Sequence, residues 1–387
     1  MQNFRGSFIN KHRDAWVEVN LGHLEHNLSQ IKKSIFSNLN GKIPPKLLAV
    51  IKADAYGHGS IMCAPTLLAC GIDAFGVASI DEALELRQNK FTTPILVLGS
   101  VPIWSYETAI KNNIAVSIFT DEHLEAASLI SERLGGKRLP VHIKIDTGMN
   151  RIGINKNFAI DFIKRAKNAP YLDLRGIFTH FADVENKEIL KKQVENFKCV
   201  INSIDTTGLI LHCSNSAASL FYDDLKFDML RLGIILYGLS PLDYSNKQNS
   251  LLPDLKQVIG LKGRITNIHT IEKGDGVSYG HIFVADKKTR VATIPIGYAD
   301  GVSRVLSGKI KASLNGKIIN QIGRITMDQM MFDISDIEAQ NGDIITLLGN
   351  DEAGNFFSID TWAKELNTIN YELTCRLKVR LPRIYVR

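Results

Sequence analysis

The chain has 387 residues, of which 45% are hydrophobic and 22% charged, with a formal net charge of +6; this is apolar material enough for two cores, in proportions ordinary for a globular protein. The charge is small for the size and no basic stripe with interleaved aromatics occurs, which argues against a nucleic-acid partner. The N-terminal stretch MQNFRGSFINKHRDAW has no apolar core of the signal-peptide kind, and no apolar run is long enough for a bilayer, so a membrane partner is not expected and the cytoplasm is the expected compartment.

In chain order, Trp16–Asn20 alternates apolar and polar residues and predicts a half-buried strand. A helix is expected over Leu21–Phe36, with Leu24, Leu28 and Ile31 on one face, then a polar loop over Ser37–Pro45. Eight short apolar runs follow: Leu47–Ile51, Ala74–Ala78, Pro94–Gly99, Ile114–Phe119, Val141–Ile145, Leu174–Phe178, Leu209–Leu211 and Leu230–Tyr237. Amphipathic helical patterns separate them, as in Ser79–Gln88 and Asp121–Arg133. Eight alternating βα units predict an α/β fold, a TIM-type (β/α)8 barrel within the usual ~250 residues; a doubly wound open sheet shares the periodicity.

At Ser240-Pro241-Leu242 the pattern changes. From about Leu251 the runs are short and rich in Ile, Val and Thr: Gly263–Ile268, Arg290–Pro295, Lys309–Leu314, Lys317–Ile322, Gln329–Ile334 and Asp343–Leu348. Asn315-Gly316 between two of them is a strong hairpin signal. The expected organisation is a barrel over 20–245 and a smaller, mostly β C-terminal domain over 246–387. Five cysteines, Cys63, Cys70, Cys199, Cys213 and Cys375, are odd in number and lack CxxC spacing. They read as reduced thiols, not a disulfide framework or a zinc site, and no metal is expected. Cys63 and Cys70, one heptad apart in an expected helix, are read as core packing.

Chemistry enters at LLAVIKADAYGHG, Leu47 to Gly59. A single lysine, Lys52, stands where an apolar strand gives way to a glycine-punctuated turn. Desolvation disfavours its ammonium form, leaving an amine suited to forming a Schiff base with a carbonyl. Tyr56 follows four residues on, at the expected entry to a helix, and Gly57 and Gly59 let backbone approach a ligand. This string resembles the pyridoxal-phosphate (PLP) lysine motif of alanine racemases. Alone, it also fits PLP-dependent decarboxylases of the same barrel type and small single-domain PLP-binding proteins.

Active sites of such barrels lie at the carboxyl ends of the strands, and polar residues stand there. VHIKIDTGMNRIG supplies Lys144, Asp146 and Arg151; FTHF supplies His180; HCSNSAAS supplies Asn215 and Ser216; MLRLGIILYGL supplies Arg231, Gly233 and Ile234. Each resembles a motif of the family in its order along the chain, and the likeness runs from Trp16 to Arg376. The resemblance implies that Ser216, the backbone N–H groups of Gly233 and Ile234, Tyr56 and Tyr371 (in TINYELTCR) bind the phosphate, with Asn215 in the same strand end. It implies that His180 lies beside the cofactor ring and orients Arg231, which faces the pyridine nitrogen. A guanidinium does not give up a proton, so that nitrogen stays unprotonated and a carbanion on the cofactor is short-lived. That favours return of a proton to Cα over decarboxylation or transamination.

The resemblance further implies alanine racemisation through an external aldimine with two bases, Lys52 on one face and Tyr279, in GVSYGHIF, on the other. A phenol near pKa ~10 is a poor base at neutral pH, and a nearby positive charge, Arg231 or Arg151, is needed to lower it. Arg151, Met327 and Asp328 (in GRITMDQ) and Tyr298 (in IPIGYADG) are implied at the substrate. Thr326 and Ser214 depart from the residues usual in relatives, and Lys144 corresponds to a lysine that is carbamylated in several of them. The family works as a head-to-tail homodimer in which Tyr279 and Met327 reach the partner's barrel. Its N-terminal strand, here within Phe4–Val19, joins the β domain. The implied product is D-alanine for peptidoglycan.

Overall fold

The computed structural model describes residues 12–37 and 43–387. The part of the Phe4–Val19 expectation up to residue 11, and residues 38–42 of the expected Ser37–Pro45 loop, lie outside them. The helix Leu21–Phe36 begins where Asn20 accepts a hydrogen bond from the His23 N–H at 2.9 Å, which satisfies one of the free donors of the first turn. Leu21, Leu24, Leu28, Ile31 and Ile35 form its buried stripe. Each such side chain contributes roughly 1.5–3 kcal/mol on burial.

The eight strands that follow are all parallel. They run Lys46–Val50, Ala74–Val77, Ile95–Ser100, Ala115–Ile118, Leu139–Asp146, Leu172–Phe178, Ile210–His212 and Met229–Leu232, and Met229–Leu232 pairs back onto Lys46–Val50. Between the last two, the Asp228 N–H reaches Leu211 O at 3.0 Å and the Arg231 N–H reaches Ser214 O at 3.2 Å. The result is a nearly closed eight-stranded barrel with helices outside. Its strands are covered on both faces, so they read as continuous apolar runs and not as alternation.

The β domain is built on a second sheet. Its strands, side by side, are Asn267–Ile271, Thr289–Ile294, Met330–Asp333, Lys317–Ile322, Lys311–Leu314, Ile344–Asn350, Ile259–Arg264, Ala15–Asn20 and Arg383–Val386. The N-terminal strand is therefore placed by non-local pairing, antiparallel at Val17↔Leu261 and parallel at Val17↔Arg383, with Ala15, Val17 and Val19 buried and the residues between them half-buried. Asn315 and Gly316 make the expected tight turn, with φ of 51° and 79°.

Three expected elements differ. Leu230–Tyr237 is a strand only to Leu232, because Gly233 (φ −114°, ψ −112°) turns the chain into a 3-10 turn over Ile234–Tyr237. Gly263–Ile268 is divided between Ile259–Arg264 and Asn267–Ile271. Cys63 is fully buried as expected, whereas Cys70 caps the end of its helix and is half-buried.

Candidate active site

Tyr56 was expected to open an ordinary helix, but the backbone after Lys52 does something else. Ala53, Asp54, Ala55 and Tyr56 all have φ of 52–55° and ψ of 38–51°, one turn of left-handed helix, and the right-handed helix starts only at Ser60. Each such residue costs roughly 1–2 kcal/mol, so the turn persists only because its surroundings hold it. Glu82 accepts from the Ala53 N–H at 2.7 Å and from the Ala78 N–H at 2.6 Å. Asp54 accepts from the Ser60 N–H at 2.7 Å, and Arg383 donates to Gly57 O at 2.9 Å. Gly57 (φ 84°) passes so close to the helix Asn370–Arg376 that a Cβ there would lie 2.3 Å from Thr374 O. This turn brings the Lys52 amine to 6.0 Å from the centre of the Tyr56 ring.

Lys52 opens on a cavity of about 410 Å3 at the carboxyl ends of the strands, walled also by Tyr56, Lys144, Arg151, His180, Asn215, Ser216, Arg231, Gly233, Ile234 and Tyr371. Ten of the residues singled out as cofactor or substrate ligands, together with Lys144, thus converge on one space. Burial, then the Arg151 cation, lowers the Lys52 pKa, while Glu82 and Cys375 act weakly the other way. Burial, with Arg151 and Arg231 next, pulls Lys144 down to about 8.

Arg231 is 3% exposed, and among the described residues no carboxylate pairs with it. It donates to Thr179 O and Cys213 O, both at 2.8 Å, to His212 Nδ1 at 3.0 Å and to His180 Nδ1 at 3.3 Å. Burial lowers it to about 10, so it remains a cation at neutral pH. Because a guanidinium only donates, both histidine nitrogens facing it carry lone pairs. His212 then bears its hydrogen on Nε2, which meets His142 Nδ1 at 3.0 Å. Burial, with Arg231 second, holds His180 and His212 well below the usual histidine range.

The cavity fits an anionic aromatic aldehyde. The Gly233 N–H donates to Ser216 Oγ at 2.9 Å, and a Cβ on Gly233 would sit 2.9 Å from Tyr56 Oη and 3.5 Å from Ser216 Oγ. Only glycine leaves that corner, where the Tyr56 and Ser216 hydroxyls meet, open to phosphate oxygens. Four cationic side chains complete the surroundings of an anion.

Four predicted residues stand elsewhere. Tyr279 is 72% exposed at the tip of a two-stranded ribbon, Gly276–Val277 with Phe283–Val284. Tyr298, Met327 and Asp328 are also exposed, and none of the four lines the cavity. They do gather together. Ser278 Oγ donates to Arg324 O at 2.8 Å, the Tyr298 N–H to Thr326 O at 2.9 Å and the Ala299 N–H to Met327 O at 3.0 Å. Sequence reasoning passed over His212 and His142. The signal was available for His142, two residues before Lys144 on one strand and so on the same inward face.

A parallel barrel with a lysine and three further cations at its mouth, followed by a β domain, defines the class of fold and site. Residues 19–241 match the family model described as alanine racemase, N-terminal domain, and residues 258–385 match alanine racemase, C-terminal domain. The chain is 39% identical to the alanine racemase of Nostoc sp. over 387 residues, covering 96% of each. Its fold matches the alanine racemase of Clostridium difficile 630 with a TM-score of 0.87 at 38% identity, covering 97% of both chains. A histidine racemase from Leuconostoc mesenteroides matches with a TM-score of 0.87 at 27% identity, covering 98% of this chain and all of that one. The chain belongs to the alanine racemase family and is an isomerase.

Proposed function

We propose that the protein interconverts L- and D-alanine using pyridoxal 5′-phosphate held at Lys52. The observation that carries this is the meeting of a lysine of lowered pKa with Lys144, Arg151, Arg231 and the open Gly233 corner around one cavity. The bound coenzyme supplies an electron sink that stabilises negative charge at the substrate Cα. Tyr56, Ser216, Tyr371 and the Gly233 and Ile234 amides hold its phosphate, and Asn215 caps the helix that carries Ser216 by accepting from the Ala218 N–H. His180 and Arg231 would hold the ring of the coenzyme, and Arg231, a guanidinium with no proton to give up, would leave the ring nitrogen unprotonated. Lys52 moves the proton on one face of Cα.

Tyr279 moves it on the other, contributed by a second copy of the chain, as is Met327. Exposure of Tyr279, Tyr298, Met327 and Asp328 in one patch, outside their own chain's cavity, supports that arrangement. Arg151 and the backbone of Met327 and Asp328 would receive the substrate carboxylate, and Tyr298 would narrow the entrance. The working unit is then a cytoplasmic homodimer, each chain a barrel over 20–245 and a β domain over 246–387 completed by the N-terminal strand, supplying D-alanine for peptidoglycan. Among the described residues no helix is long and apolar enough to cross a membrane.

The test is solvent deuterium appearing at Cα of alanine, from either enantiomer, with PLP supplied, together with borohydride fixation of the coenzyme on Lys52. Wild type should do both and Lys52→Ala neither; absence of deuterium at Cα overturns the reading. The fold shared with a histidine racemase favours one second reading, a racemase for a larger amino acid. Deuterium uptake across a panel of amino acids separates the two.

A further inference from the structure

His58, the fourth residue of the AYGHG string, does not line the cavity. It is fully buried. Its Nδ1 lies 2.8 Å from Ala55 O and 3.1 Å from Tyr56 O, the last two carbonyls of the left-handed turn. Carbonyl oxygens only accept, so Nδ1 carries the hydrogen and the ring is bound in one tautomer. Its Nε2 is then a bare lone pair, buried and without a partner among the described residues. The ring also stacks on Tyr237, 4.3 Å between centres and 23° between planes. Tyr237 in turn donates to Val50 O at 3.2 Å, two residues before Lys52, and packs against the Tyr56 ring at 5.4 Å. One histidine thus grips the turn at its far end while its stacking partner grips the strand at the near end.

We propose that His58 is a positioning residue for the phosphate end of the site: by holding the carbonyls of Ala55 and Tyr56 it keeps the left-handed turn wound, and so keeps the Tyr56 hydroxyl at the Gly233 and Ser216 corner. Lys52 depends on it less, because Glu82 and the strand fix the start of the turn. Burial lowers the ring to about 4, in keeping with a neutral brace at every working pH. The inference rests on the reading of the cavity as a PLP site.

The experiment compares pyridoxal phosphate with pyridoxal, which carries the same aldehyde without the phosphate, as ligands of the coenzyme-free protein. In His58→Leu the Kd for pyridoxal phosphate should rise by about ten- to hundredfold, the loss of one or two hydrogen bonds' worth of positioning. The Kd for pyridoxal should stay within about twofold, since it makes no use of Tyr56. His58→Asn, whose side-chain amide can donate from nearly the place of Nδ1, should regain most of the loss. Circular dichroism of the coenzyme-free variants checks that they fold. Equal weakening of both aldehydes, no weakening at all, or His58→Asn no better than His58→Leu each overturns the proposal. Failure of the wild type to take up pyridoxal phosphate at Lys52 refutes the function itself, a different outcome.

Discussion

At the scale of single residues, the cavity is a concentration of positive charge, and Lys144 makes its cost measurable. Its pKa is pulled down to about 8 in the folded protein, by burial first and then by Arg151 and Arg231, whereas a lysine in the unfolded chain titrates near ~10.4. Below about pH 8 both states hold the proton and the folded state bears the full cost. Between about 8 and about 10 the unfolded chain binds more protons, so stability rises with pH. Denaturant unfolding of the coenzyme-free protein should therefore show a gain from about pH 7.5 to about pH 9.5. Lys144→Met should shrink that gain, leaving the part that Lys52, also lowered by burial, contributes; an unchanged slope would mean that Lys144 does not set it. That these residues would line one space was readable because motif and position agreed, Lys52, Ser216 and Arg231 standing at or just past strand ends and Tyr56 four residues after Lys52. What could not be read was linkage, since His212 binds Arg231 across 19 residues and no local pattern announces that.

At the scale of elements, the left-handed turn is the feature that sequence reasoning missed, and the reason is physical. Ala53, Ala55 and Tyr56 have no intrinsic preference for φ above zero, and Asp54 only a slight one; their conformation is imposed by Glu82, His58 and Arg383, which lie outside the turn or at its end. Gly57 is the one residue whose identity betrays it. Gly57→Ala adds strain at φ 84° and a collision with Thr374 O, and should destabilise the coenzyme-free protein by about 1–3 kcal/mol while also weakening PLP binding. A chemical-denaturation series with the coenzyme absent and present reads both. By the same logic, Leu230–Tyr237 looked like one strand because apolar runs do not mark where the hydrogen-bonding ladder stops; Gly233 marks it, but only once the cradle beside Ser216 is seen.

At the scale of the whole molecule, the barrel followed from alternation of short runs and helices, while the strand order of the β domain did not. The pairing of Ala15–Asn20 with Ile259–Arg264 and Arg383–Val386 spans nearly the full chain, and such contacts leave no periodic trace. The same distance problem governs the second base. Lys52 and Tyr279 belong to one chain, yet Tyr279 is exposed away from its own cavity, so the proposed site is complete only between two copies. This predicts complementation. Lys52→Ala and Tyr279→Phe homodimers should each be nearly inactive. Mixed in equal amounts and allowed to exchange, half of the dimers are hybrids, and each hybrid has one site bearing both substitutions and one bearing neither. About a quarter of wild-type racemase activity should return, the fraction of intact sites expected for shared sites in a twofold dimer. If every chain used its own Tyr279, both sites of each hybrid would stay impaired and the mixture would be no more active than its components.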